Sequence, residues 1–349
     1  MAQKGRHTLA KPFFRRGLDA EIRLGGVPRI AIIGLGLMGS YYLKLLRERL
    51  NVKVEAVCDV DPKKLESVNV PRKYRDFVEM LNEGGFDGVI IATPPLYHKD
   101  PAIEALRRGY YVMLEKPMAP NLRDALEIYR AAKGRNKLML SFSLRYHHLY
   151  QRVKQRVDEL GGVVHQWHIG MGALPSTPWI GKRSVSGGML AEHGVHVIYY
   201  QVWYAGNVEE VYAHTAQVTR GIEIEDSATL IMKHRGGAVS VYMQSWVGGH
   251  SWRKWGVQAK LGRVTVEGYL GGEYSISRVG GDVVESGRFE EPPEHMYVEQ
   301  LRHFVECIEN GWRPITNEED GIAVQQIVEA AYRSVSTAKP IKLPLPEVL

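Results

Sequence analysis

Three glycines, Gly34, Gly36 and Gly39, fall in the spacing G-x-G-x-x-G between the apolar run RIAII and a stretch, LMGSYYLKLLRERL, whose apolar residues recur at helical intervals. Strand, tight turn and helix is the arrangement this pattern encodes. The first glycine permits the turn, the second lets backbone approach a pyrophosphate, and the third lets helix and strand pack closely. Phosphate charge then sits on the open N–H groups of the helix start, with Leu35 and Met38 in the same turn. Asp59 ends the next apolar run, VKVEAVCD, 20 residues beyond Gly39, where a carboxylate holds ribose hydroxyls. An anion there opposes a 2′-phosphate, and Val60, Asp61 and Pro62 follow without an arginine. NAD is therefore expected as cofactor, with NADP the lesser alternative that Lys63 and Lys64 keep open.

Thr93, Pro94 and Pro95 come directly after another apolar run, DGVIIA. Prolines stop a strand and fix a rigid wall, here beside the cofactor. His98 opens the helix that follows, placed to reach the nicotinamide or substrate region. The elements carrying these residues alternate: YYVMLEKP and KLMLSFSLR each come after a helical segment. Short apolar strands alternating with helices predict a parallel, doubly covered α/β sheet, a Rossmann domain over 26–145. Beyond it the chain reads differently. A helix at 146–160 precedes the strand VVHQWHIG, an irregular loop over 170–187, and the apolar helix MLAEHGVHVIYYQVWYAG. Strands at 208–219, 225–234, 238–247, 256–267 and 272–278 have no helices between them, and helices near 295–310 and 316–337 close the chain. That order predicts an α+β domain over 146–349 with an open, mainly antiparallel sheet.

Composition agrees with two globular domains. The 349 residues are 44% hydrophobic and 24% charged, which excludes disordered, collagenous and disulfide-scaffold classes. The net charge of +6 is concentrated in a basic extension, 1–25, with six cations against two acids. The rest of the chain has no excess of cations sufficient for a nucleic-acid face, so no such partner is expected. The two cysteines, Cys58 and Cys307, form no metal or disulfide pattern. No run of about 18 apolar residues and no leader-like apolar stretch occurs, so a cytoplasmic protein without membrane contact is expected.

Glu115-Lys116-Pro117 at a strand end, followed by GGMLAEHGVH and the tail AAYRSVSTAKPIKLP, carry a resemblance. From about residue 28 onward the chain resembles the glucose–fructose oxidoreductase / inositol dehydrogenase / MocA family of NAD(P)-dependent proteins. The resemblance implies hydride transfer to or from a secondary hydroxyl of a sugar, cyclitol or sugar derivative bound between two domains. It also implies a homodimer or homotetramer formed through the C-terminal sheet. Glu115 and Lys116 match the pair lining the nicotinamide and substrate site, and His196 matches the usual general acid/base. Glu192 stands where many relatives have aspartate, and Arg145 matches a position that often neighbours cofactor or substrate. His193 is an additional ionisable group, while the acid expected one turn beyond the histidine is replaced by Tyr199 and Tyr200.

The chemistry of the residues agrees. Oxidising a secondary alcohol needs a base for the hydroxyl proton, a cation for the developing alkoxide, and a hydride acceptor in reach. His196 serves as base and Lys116 as cation, or as a proton-sharing group if its pocket depresses it. Glu192 and His196, four residues apart, are expected on one helix face, where the carboxylate orients the imidazole or holds a neighbouring hydroxyl. Lys116, Glu192, His193, His196 and Trp179 are the candidate substrate contacts, Trp179 as a lid residue in the irregular loop. Glu192, His193 and His196 lack the H-E-x-x-H spacing, and His165 and His168 fall on opposite faces of a strand, so no metal is expected. Trp246, Trp252 and Trp255 are expected to seal a subunit interface on the sheet. A second use of the same chemistry is redox-neutral: transient oxidation, loss of a neighbouring or glycosidic group, and return of the hydride, with His193 as the further base.

Overall fold

The computed structural model describes residues 26–348, so the basic extension lies outside the described residues. The first sheet consists of β1 (Arg29–Ile33), β2 (Lys53–Cys58), β3 (Arg72–Tyr74), β4 (Gly88–Ile91), β5 (Tyr111–Leu114) and β6 (Leu138–Leu140). Between them run α1 (Leu37–Arg49), α2 (Pro62–Glu66), α3 (Phe77–Glu83), α4 (Lys99–Arg107) and α5 (Leu122–Ala132). The strands are all parallel, in the order β3-β2-β1-β4-β5-β6. β4, β5 and β6 are buried along their whole length, the mark of strands covered on both faces. Strand order reverses between β1 and β4, which opens a crevice at their carboxyl ends. Gly34 and Thr93, predicted to meet a cofactor, both stand at that crevice.

The second half runs α6 (His148–Glu159), β7 (Val163–Met171), α7 (Arg183–Ser186), α8 (Val195–Ala205) and then seven strands. These are β8 (Val208–Ala216), β9 (Ser227–His234), β10 (Val239–Ser245), β11 (Trp252–Ala259), β12 (Gly262–Glu267), β13 (Gly272–Arg278) and β14 (Val283–Phe289). After α9 (Glu294–Asn310) and α10 (Glu318–Thr337), the short β15 (Ile341–Lys342) completes a nine-stranded sheet ordered β14-β13-β12-β11-β7-β10-β9-β8-β15. It is antiparallel except where β7 runs parallel to β10. The predicted strand 256–267 is in fact parts of two, turned at Lys260-Leu261, a pair without the Asn or Gly that marks a tight hairpin in sequence. β14 escaped prediction because its VVESGRF sequence forms a largely exposed edge.

The last two helices reach back to the first sheet, although α10 also lies against β8, where Ser334 accepts from the Ala213 amide at 3.0 Å. α9 packs on α1 and beneath β4, where Phe304 and Ile308 crowd Gly88. α10 packs on α5, and Thr316 exchanges hydrogen bonds with Leu140 at the end of β6. The chain therefore returns to brace the first sheet after building the second. The tryptophan expectation also needs correction. Trp255 is fully buried and stacked on Tyr150 at 4.7 Å, and Trp246 is 5% exposed, so both serve the chain's own core. Trp252, 40% exposed, is the one of the three that faces outward.

Candidate active site

The β1–α1 turn fits a dinucleotide. Gly34 has φ +92°, and a Cβ there would lie 2.7 Å from the Ala92 carbonyl oxygen. A Cβ on Gly39 would collide with the Gly34 carbonyl, so both glycines are required by the protein's own backbone. Gly36 is different: nothing lies within 4 Å of the position its Cβ would occupy. It caps α1 with no side-chain hydrogen bond, leaving open N–H groups for an anion. Asp59, 7% exposed, accepts from the Leu35 amide at 2.7 Å and the Asp61 amide at 2.9 Å, and pairs with Lys64 at 3.2 Å. Leu35 thus contributes its amide, while the Met38 side chain packs half-buried on the core.

Across the crevice, Thr93 Oγ1 donates to the Tyr97 carbonyl at 3.2 Å, and Pro94 continues in extended conformation into a short turn, Pro95–Tyr97. The structure assigns His98 a different place from the one expected. It is fully buried, with Nδ1 2.9 Å from the Pro117 carbonyl and Nε2 2.8 Å from the Thr93 carbonyl. Neither nitrogen is left for a ligand. His98 instead ties the wall at Thr93 to the Glu115–Pro117 segment, whose Lys116–Pro117 bond is cis.

That segment leaves β5 at the crevice. Glu115 is 7% exposed, accepts a hydrogen bond from Tyr42 on α1, and takes one from the Lys116 amide at 3.1 Å. Burial pushes its carboxyl up, against the opposing pull of Lys116 and Tyr42. The Lys116 ammonium crosses to the second half of the chain, donating to the Glu192 carbonyl at 2.8 Å and its carboxylate at 2.9 Å. Burial alone would raise the Glu192 carboxyl, but Lys116 holds it below the usual range. Residues Leu190–Gly194 form a π-helical turn that leads into α8. Glu192, within this turn, is thus engaged by Lys116 through both its carbonyl and its carboxylate. His196 Nδ1 and His193 Nε2 are buried without hydrogen-bond partners. Burial, reinforced by Lys116 and His193, keeps His196 neutral well below 6.5, and burial brings His193 to about 4.

Residues 28–142 match the family described as "Oxidoreductase family, NAD-binding Rossmann fold", and residues 150–268 match the GFO/IDH/MocA C-terminal domain. The chain belongs to this family. Its relatives include a D-apiose dehydrogenase of Paraburkholderia graminis, 24% identical over 90% of this chain and 89% of that one. A myo-inositol 2-dehydrogenase of Thermotoga maritima is 23% identical over 90% of this chain and 98% of its own. Among solved structures, an oxidoreductase from Agrobacterium radiobacter in complex with NAD+, L-tartaric acid and magnesium superimposes with a TM-score of 0.81. It is 22% identical and covers 91% of this chain and 98% of that one.

As a GFO/IDH/MocA oxidoreductase the chain uses NAD, and its Gly36 turn is open, with Asp59 beside it. Two further expected site residues have these surroundings. The Arg145 guanidinium lies over the Trp203 ring at 3.9 Å, seven residues along α8 from His196. Trp179 is partly buried in a turn, Pro178–Gly181, just before α7, and α7 packs against the Pro95–Tyr97 turn. The segment thus links the second half to the cofactor wall. Sequence reasoning missed the inner face of the second sheet, where His168, Tyr242 and Gln244 are buried. The strand alternation of β7, with His165 exposed and His168 buried, carried that signal.

A separate group, His148, Glu291 and His295, brings ligand atoms within 4.8 Å of one another where α6 and α9 begin. Glu291 lies 3.1 Å from His148 and 3.3 Å from His295, so the carboxylate joins the two helix starts. The pairing with Glu291 raises His148.

Several histidines are held neutral by burial: His98 at about 4, His168 at about 3 and His193 at about 4. In the unfolded chain they bind protons near pH 6.5, which the folded chain refuses until lower pH. Their contribution to stability is therefore complete above pH 6.5 and lost as pH falls toward 4. The urea midpoint is expected to drop steadily between pH 7 and pH 4.5, with each such histidine adding up to about 1.4 kcal/mol per pH unit to the slope. A flat midpoint across that window would contradict their neutral burial.

Proposed function

We propose that this oxidoreductase transfers hydride between NAD and a secondary hydroxyl or keto carbon of a sugar, cyclitol or sugar derivative, and that Lys116, Glu192 and His196 perform the protein's share. The supporting observation is the Lys116–Glu192 pair at 2.9 Å on the segment that also carries a neutral, unpartnered His196. Bound in the Gly36 turn, NAD supplies the hydride acceptor. His196 takes the hydroxyl proton, Lys116 meets the developing alkoxide, and Glu192 holds the ammonium in place. The D-apiose and myo-inositol dehydrogenases among the relatives support a polyhydroxylated substrate. His196→Ala is expected to lower kcat by about 10²–10⁴-fold with NADH affinity retained. Since His196 is neutral well below pH 6.5, the acid limb of kcat/KM for the wild type is expected below that pH. An unaltered kcat in the variant would remove His196 from the mechanism.

His193 favours one second reading. Its buried, unpartnered Nε2 is a spare neutral imidazole of the kind a redox-neutral elimination needs to remove a proton beside a transient ketone. For assembly we propose a homodimer or homotetramer through the outer face of the second sheet. There Tyr212 pairs with Ile231, both more than 40% exposed, and Met243, Met171 and Trp252 extend the apolar surface. Ile231→Lys is expected to yield monomers by light scattering; an unchanged mass would move the interface elsewhere. Among the described residues no helix is long and apolar enough to cross a membrane. Cys58 and Cys307 are buried free thiols, which supports the cytoplasmic reading.

A further inference from the structure

One rung of the second sheet is unusually polar. Gln244 on β10 and Arg253 on β11 both pair with Gly170 of β7, which lies between them and presents no side chain. The glycine leaves a notch that a Cβ would fill, since it would collide with Gln244 Oε1. A Cβ on Gly172 would lie 3.9 Å from Gln244 Nε2 and 4.0 Å from an Arg253 terminal nitrogen, so both side chains border the same space. Gln244 Oε1 and Arg253 Nε are buried there without hydrogen-bond partners. So are His168 Nε2 and the Tyr242 hydroxyl on the next rung, and His193 Nε2 opposite. Leaving such groups unpaired in a folded interior is costly, and a cluster of them is the kind of wall that a hydroxylated ligand can complete.

The charge of this wall is equally specific. Arg253 lies over Tyr269 at 4.6 Å and donates to Ser251 at 3.0 Å, and among the described residues no carboxylate pairs with it. His193 faces the same Tyr269 ring at 6.5 Å, and its neighbour Glu192 is already neutralised by Lys116. With the histidines neutral, Arg253 is the one uncompensated charge among these groups. We propose that the substrate is a sugar acid, whose carboxylate is received by the Arg253 fork while Gln244 and Tyr242 bind neighbouring hydroxyls. A single guanidinium matches one carboxylate in bidentate geometry, whereas a phosphate dianion would leave a charge uncompensated.

This inference rests on the proposed hydride transfer to a polyhydroxylated substrate, but it is read by binding, without turnover. NADH-loaded protein is titrated with D-glucuronate, D-glucose and D-glucose 6-phosphate, following tryptophan fluorescence. Wild type is expected to bind D-glucuronate about 10- to 100-fold tighter than D-glucose. Arg253→Gln is expected to bring that ratio within about threefold, and Arg253→Lys to keep part of it, while NADH binding confirms that both variants are folded. Equal binding of the acid and the neutral sugar by wild type, a preference that survives Arg253→Gln, or tighter binding of the phosphate would each overturn the proposal. Failure of the hydride reading would appear separately, as absence of NADH from NAD+ with any of these compounds.

Discussion

Lys116→Met is expected to lower kcat/KM by about 10³-fold or more while NADH binds within about threefold of wild type. Two losses combine in that figure. The ammonium that meets a developing alkoxide is gone, and Glu192, its side chain only 15% exposed, is left as a carboxylate without its cation. Released from Lys116, the Glu192 carboxyl is expected to rise, because burial is the remaining influence of size upon it. Folding stability should fall by about 1–3 kcal/mol, less than for a fully buried pair because both partners retain some access to water. Lys116→Arg keeps the charge and is expected to recover stability before activity, since a planar fork cannot reproduce the two acceptors held at 2.8 and 2.9 Å. A turnover number within tenfold of wild type for Lys116→Met would take this lysine out of the chemistry.

Alanine at Gly36 and at Gly39 should separate two functions of one turn. Gly39→Ala forces its methyl group into the Gly34 carbonyl, and neither backbone can yield without moving α1 against β1. It is expected to destabilise the protein by about 3 kcal/mol and to abolish measurable NAD binding. Gly36→Ala meets nothing in the protein itself, so its Tm should stay within about 1 °C of wild type. NAD affinity should nevertheless fall at least about tenfold, because a methyl group then stands where backbone must approach the pyrophosphate. Calorimetry for stability and titration calorimetry for NAD distinguish the two. Equal loss of Tm in both variants would mean that Gly36 is structural.

The contrast between these glycines shows which parts of the site were legible in sequence. A strand, a glycine turn and an amphipathic helix are local, so Gly34, Gly36, Gly39 and Asp59 could be read from spacing and are found together at the crevice. Lys116 and Glu192 were also readable as chemistry, but their meeting was not. It depends on the end of β5 approaching the Leu190–Gly194 turn across 76 residues of sequence, a tertiary contact that spacing does not encode. His98 shows the opposite error. At a helix start beside the cofactor wall it has the look of a ligand contact, yet it is fully buried with its two nitrogens beside the carbonyls of Thr93, five residues back, and Pro117, nineteen residues on. Arg145 is drawn to Trp203, a partner supplied by a helix about sixty residues away in sequence. The inner face of the second sheet was the largest omission. Gln244, Gly170 and Arg253 become one rung only through the pairing of β10, β7 and β11, and strand order is set by tertiary packing.

The central claim, net hydride transfer on a carbohydrate, is tested most directly by product mass in D2O. The protein is incubated with NAD+ and a panel of sugars, cyclitols and sugar acids, and NADH is followed by absorbance. The account predicts a ketone product two mass units lighter than its substrate, one NADH for each molecule formed, and loss of both with Lys116→Met. Cleaved or eliminated product carrying deuterium on carbon, with no net NADH, would contradict it and assign the chain to redox-neutral chemistry.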